Sequence, residues 1–321
     1  MEGEKGYTEL VKILNSQECI EELGIVHGSD NDLIFIDGKL GISSGLGKKI
    51  YVFVHKEFFK VRSSSSDLND CDLVIASLSM VLLLFNPECY TAWNARKELI
   101  TSEKIFIADE FRIMNLILTC YPRSAELFSH RRWLIQHAAK IGDCDIKTLC
   151  KLELTVAAKT ADQYYSNYIS WSHRCWILCT YLANYQEILL SELQDTALWL
   201  QMHVSDSNVY YYRQQLLTLL VQLNQVNVKK LWVSELQVNR ELIEFYVGHE
   251  SMWLFRRFLL ANIPVNNEEK KNLCHQEMEF VNESCLVKES TDLTFGPNRQ
   301  IHFAKEYKIF ISFMISTLDN S

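Results

Sequence analysis

An aromatic residue followed three positions later by arginine recurs five times in this 321-residue chain, and recurrence on that scale dictates a repeat architecture. The pairs are Trp93/Arg96, Phe128/Arg131, Trp171/Arg174, Tyr210/Arg213 and Trp253/Arg256, with successive arginines 35, 43, 39 and 43 residues apart. An aliphatic pair follows each: Leu99-Ile100, Leu134-Ile135, Ile177-Leu178, Leu216-Leu217 and Leu259-Leu260. From Leu73 onward most apolar residues fall three and four apart, the spacing of amphipathic helices. Four prolines and eleven glycines leave little to interrupt them. Each repeat therefore reads as helix, short turn, helix. A unit so small cannot bury its apolar face alone, so successive hairpins must stack into a solenoid.

Helix-start signals precede the pairs. Asn86-Pro87 offers a cap followed by proline at a first helical position, and Tyr121-Pro122-Arg-Ser124, Ser166-Asn167 and Ser205-Asp206-Ser207 offer similar punctuation. The second helix of each hairpin then opens with the aromatic and the arginine on one face. The aromatics are expected to fill gaps between stacked hairpins, and the arginines to donate to turn carbonyls or to acids of the neighbouring repeat. Function is left to the turns and to the first residues of the second helices, which line one edge. The second basic residues of Arg131-Arg132 and Arg256-Arg257 point elsewhere, toward a partner's acids or toward solvent.

The N-terminal portion differs. Leu33–Ile36 and Lys39–Ile42 flank Asp37-Gly38, which suits a tight hairpin turn, and Ile50–Val54 is a second β-like run. Ser63–Ser66 reads as a flexible linker. The predicted organisation is a segment over 1–65 with a short helix and a β-hairpin, five hairpin repeats over 66–262, and capping helices over 263–321.

Composition narrows the function. A net charge of -8 argues against nucleic acid, whose phosphates call for a surplus of Lys and Arg. The longest apolar run, Leu73–Phe85, is shorter than the ~20 residues of a membrane-spanning helix and reads as buried. The acidic start Met1-Glu-Gly-Glu-Lys is unlike a signal peptide, so a cytoplasmic location is expected. Ten scattered cysteines, with no CxxC, fit reduced and buried thiols, Cys175 and Cys179 among them as core residues. His130, His173 and His249 fall in different repeats, too far apart to share a metal, so no metal site is predicted. Nor does any nucleophile, base and orienting group occur together.

The segments Asn86–Arg96, Ser129–Leu134, Ser166–Arg174 and Trp253–Arg257 resemble the repeats of protein prenyltransferase α subunits, which read roughly Pro-x-Asn-Tyr-x-x-Trp-x-x-Arg. The resemblance covers about 66–262 and is weaker in the fourth repeat, where Tyr210 stands for tryptophan. Phe35–Ile42 and Leu82–Pro87 further resemble the branch of repeat-containing proteins in that family. The resemblance implies an all-α, right-handed α-α superhelix with a small β-like N-terminal segment, wrapped around a separate β subunit. The implied activity is transfer of an isoprenoid, geranylgeranyl more than farnesyl by branch, to proteins with C-terminal cysteines. Zinc and the isoprenoid diphosphate are then expected in the β subunit or at the interface, with no cofactor in this chain.

Family α subunits contribute a Lys-Asn-Tyr stretch near the diphosphate. Ser166, Asn167 and Tyr168 occupy the matching positions, so the lysine's point charge is absent, with Lys159 and Arg174 as candidates for partial compensation. By the same resemblance Ser166, Asn167 and Tyr168, with Ser207 and Asn208 in the fourth repeat, are the substrate-proximal candidates. The absent lysine also motivates the alternative, a non-enzymatic adaptor that binds a protein on its concave face.

Overall fold

A computed structural model describes residues 2–16, 20–27, 33–63, 68–142, 144–223, 227–285 and 295–320. The chain forms two compact units, Met1–Arg174 and Cys175–Ser321.

The first unit begins with helix α1 (Glu2–Leu14), then strands β1 (Glu22–Val26), β2 (Leu33–Ile36) and β3 (Lys39–Ser43), then helix α2 (Ser44–Ser63). The predicted hairpin is present. β2 and β3 pair antiparallel, with Asp37 and Gly38 both at positive φ (49° and 75°), the paired left-handed conformation a two-residue hairpin turn requires. β1 was not anticipated. It pairs parallel with β3, in the order β1-β3-β2, with Leu23 of β1 and Leu40 and Ile42 of β3 turned to the core.

Ile50–Val54, read above as β-like, lies inside α2. Leu46, Ile50, Val54 and Phe58 recur every four residues and are all buried, so the helical stripe overrides the β-branched composition of the run. α1 lies so close on α2 that a Cβ at Gly6 would come within 2.8 Å of Leu46 Cδ1. Ser63 closes α2 instead of opening a linker; Ser64–Ser66 lie outside the described residues, as does Cys19.

Three hairpins complete this unit: α3 (Leu68–Phe85) with α4 (Tyr90–Thr101), α5 (Ile107–Cys120) with α6 (Ala125–Ile141), and α7 (Ile146–Gln163) with α8 (Tyr168–Ile177). The apolar run ending in Phe85 belongs to α3, with Val81, Leu82, Leu83 and Leu84 buried and Leu73 exposed. Among the described residues no helix is long and apolar enough to cross a membrane.

The unit boundary falls within α8, whose end passes into a π-helical turn, Leu178–Leu182. The second unit holds α9 (Gln186–Met202) with α10 (Ser207–Gln222), α11 (Val228–Phe245) with α12 (Glu250–Asn262), and α13 (Asn267–Cys285) with α14 (Phe295–Asp319). Both α13 and α14 pack on α12. Gln300 on α14 accepts from Trp253 Nε1 and donates to the Ile243 carbonyl, closing the last repeat's core.

Candidate functional site

All five repeat aromatics and all five arginines open second helices, on α4, α6, α8, α10 and α12, and all ten are buried. Trp93 Nε1 donates to the Pro87 carbonyl and Tyr210 Oη to the Val204 carbonyl, each six residues back in its own turn. Tyr210 therefore seats like a tryptophan by using its hydroxyl.

The arginines are clamps between three helices. Arg96 donates from Nε and Nη2 to Glu110 of the next hairpin, and from Nη1 to the Ala76 carbonyl and Ser79 Oγ of its own first helix. Arg131 does the same with Glu153 and Asn115, Arg213 with Glu235, Leu193 and Thr196, and Arg256 with Glu277, Leu236 and Asn239. Arg174 is equally buried, its guanidinium 5.2 Å from the Trp171 ring centre. Bidentate pairing satisfies charges that burial would otherwise penalise.

A second donor completes several acids. His130 Nε2 lies 2.8 Å from Glu110 and His173 Nε2 2.9 Å from Glu153, while Tyr212 Oη donates to Glu192 and Tyr307 Oη to Glu277. Burial pushes the Glu110 carboxyl up, but the Arg96 charge and the hydrogen bonds from His130 and Arg96 prevail and hold it at about 2; Glu153 is held at about 2 in the same way by Arg131 and His173. Burial outweighs the attraction of those carboxylates and lowers both histidines, so each stays neutral and presents Nε2–H to its acid. His130 and His173 are thus structural partners of glutamates, and His249 bonds Ser205 through Nδ1 at 2.9 Å.

The turns carry what the clamps leave over. Ser124 caps α6 by accepting from Leu127 N, and Asp206 caps α10 by accepting from Asn208 N. Asn86-Pro87 does not cap α4: that helix begins at Tyr90, and Asn86 N closes the end of α3 on the Leu82 carbonyl. Ser166 sits at φ 52°, a left-handed turn that lets the chain reverse before α8. Asn167 is fully buried. It donates to the Pro122 and Thr160 carbonyls at 2.7 and 3.1 Å and accepts from Ser170 N, so it locks the α5–α6 turn to α8. Tyr168 stands 58% exposed beside it.

Of the substrate-proximal candidates, Asn167 is thus a fastener, while Ser166 and Tyr168 face outward to different degrees. In the second unit Ser207 is exposed and Asn208 half-buried, its amide on Asp206. Lys159 is exposed on α7, and Arg174 is buried with its guanidinium beside the Trp171 ring.

Along the same edge of the first unit lies a cavity of about 470 Å³ between the turns, lined by Asn86, Pro87, Tyr121, Pro122, Arg123 and Tyr164. Arg123 lies 4.4 Å from the Tyr164 ring centre, and Tyr90, Tyr165 and Tyr168 are also exposed in these turns. Sequence reasoning missed this cavity and the glutamates of the clamps. The acids at Glu110, Glu153, Glu192, Glu235 and Glu277 recur with nearly the arginine period, which is the signal that locates them.

Three segments match the family described as protein prenyltransferase alpha subunit repeat: 107–138, 150–181 and 232–263. Each starts on a first helix and ends on or just past its second. The chain is 29% identical to protein prenyltransferase alpha subunit repeat-containing protein 1-B of Xenopus laevis, over 91% of this chain and 78% of that protein. It is 30% identical to the corresponding protein 1 of Homo sapiens, over 75% and 72%. It is 21% identical to the geranylgeranyl transferase type-2 subunit alpha of Saccharomyces cerevisiae, over 77% and 78%.

Proposed function

The chain belongs to the protein prenyltransferase alpha subunit repeat family, and from that premise we propose that it is the α-type subunit of a heterodimeric protein prenyltransferase. It scaffolds a β subunit for transfer of an isoprenoid, geranylgeranyl in the first instance, to cysteines of substrate proteins. The observation that carries this reading is the division of labour in the repeats. The arginines and glutamates of the clamps satisfy one another within the fold, whereas the turn edge presents Arg123 and a set of exposed tyrosines to whatever docks there. Relatives named as alpha subunits of a geranylgeranyl transferase support the lipid class.

In this reading Tyr168 and the turn around Ser166 lie nearest the reacting groups, Asn167 holds that turn in place, and Ser207 and Asn208 form the matching position of the fourth repeat. Zinc and the isoprenoid diphosphate belong to the β subunit or the interface. The test is co-expression with candidate β subunits and measurement of labelled geranylgeranyl transfer to acceptor proteins ending in cysteine. Transfer that depends on both chains supports the reading; a stable complex with no transfer to any acceptor favours the second reading, an adaptor, for which the specific observation is serine in place of the family lysine at Ser166.

A further inference from the structure

The cysteines at the start of the second unit are not core thiols. Cys175 is half-buried and Cys179 is exposed, and their sulfurs lie 3.9 Å apart across one turn. The π-helical turn Leu178–Leu182 begins between them, so the ordinary α-helical ladder is already broken where the two side chains meet. We propose that Cys175 and Cys179 form a thiol modification site that takes a low-molecular-weight disulfide of the glutathione class and resolves it to an internal disulfide.

The chemistry balances without another reagent. The Cys179 thiolate attacks one sulfur of the small disulfide, whose S–S bond breaks, and one small thiolate departs. The Cys175 thiol gives its proton to solvent and attacks Cys179 sulfur, the second small thiolate leaves, and both leaving groups take up protons. Two protein thiols are oxidised and one small disulfide is reduced to two thiols. The hydrogen bond from Cys175 lowers the Cys179 thiol to about 7, which supplies the attacking thiolate.

Geometry makes the product reversible. Sulfurs must close from 3.9 Å to about 2.05 Å, and Cβ atoms four apart on a helix, roughly 5–6 Å, must approach to about 4 Å. The π turn is where the backbone yields. A disulfide that is strained and exposed is readily reduced again. Burial makes two other thiols poor competitors, raising Cys150 to about 12 and raising Cys274 as well.

A short unstructured cysteine peptide serves as the reference. At pH 7 a thiol of pKa about 7 carries about fifteen-fold more thiolate than one at about 8.5, and its lower intrinsic nucleophilicity removes about five-fold of that. Cys179 should therefore react with oxidised glutathione about three-fold faster than a cysteine at that reference value in a short unstructured peptide. The experiment incubates the full chain with oxidised glutathione and reads each cysteine by differential alkylation and mass spectrometry. Expected are a Cys175–Cys179 disulfide in the wild type, and a mixed disulfide held at Cys179 in Cys175→Ser. Equal rates at Cys179 and in the reference peptide, or a stable glutathione adduct at Cys179 of the wild type, would overturn the proposal. Circular dichroism of the serine variants shows that folding is intact.

Discussion

Replacing Arg131 with methionine keeps most of the side chain's volume and removes its charge, which isolates the electrostatic role of one clamp. Glu153 then keeps only His173 at 2.9 Å, having lost Arg131 contacts at 3.0 and 2.5 Å, and its side chain is only 2% exposed. A buried charge stripped of its partner costs about 3–5 kcal/mol. The double variant Arg131→Met/Glu153→Gln removes both charges yet leaves His173 an acceptor, and should be more stable than the single variant by about 1 kcal/mol or more. Guanidinium titration followed by circular dichroism measures both, provided the slopes agree. A loss below about 1 kcal/mol for the single variant, or a double variant no better than the single, would refute the clamp.

Asn167→Ala should cost about 2–3 kcal/mol in the same titration, because it strands the Pro122 and Thr160 carbonyls and uncaps α8, whereas Tyr168→Ala should change stability by about 0.5 kcal/mol or less and lower prenyl transfer. Thermal stability should fall steadily as pH is lowered from 7 to 4. His130 and His173 have folded values below their unfolded value, so protonation favours unfolding below about pH 6.5, and the depressed Glu110 and Glu153 add to the loss below about pH 4.3. His130→Gln, which keeps an N–H donor but cannot titrate, should flatten the upper part of that profile. In the proposed complex Ser166→Lys should raise kcat roughly tenfold, worth ~1.4 kcal/mol, with KM for the acceptor unchanged; an unchanged kcat places position 166 away from the leaving group.

The repeats were legible because their constraint is local. An aromatic and an arginine three apart on one face recur wherever a hairpin must seat against its neighbour, and the pairs all landed on second helices. The acids that receive those arginines were not named, since Glu110 and Glu153 lie 14 and 22 residues downstream and variable loops intervene. β1 escaped notice because its parallel partner β3 is distant in sequence and its own run is short. Ile50–Val54 misled because β-branched and aromatic residues suit both a strand and a buried helical stripe; only the four-residue rhythm continuing to Phe58 decides. The buried contacts of Asn167 were not legible, because they depend on the Pro122 turn 45 residues away.

The most direct test of the α-subunit assignment is the mass of the particle this chain forms when purified with a prenyltransferase β subunit, read by light scattering during size-exclusion chromatography. A one-to-one complex that survives dilution, and weakens when Arg123 and Tyr168 are replaced together, is the result expected. A chain that elutes alone beside every β subunit tried would contradict the account.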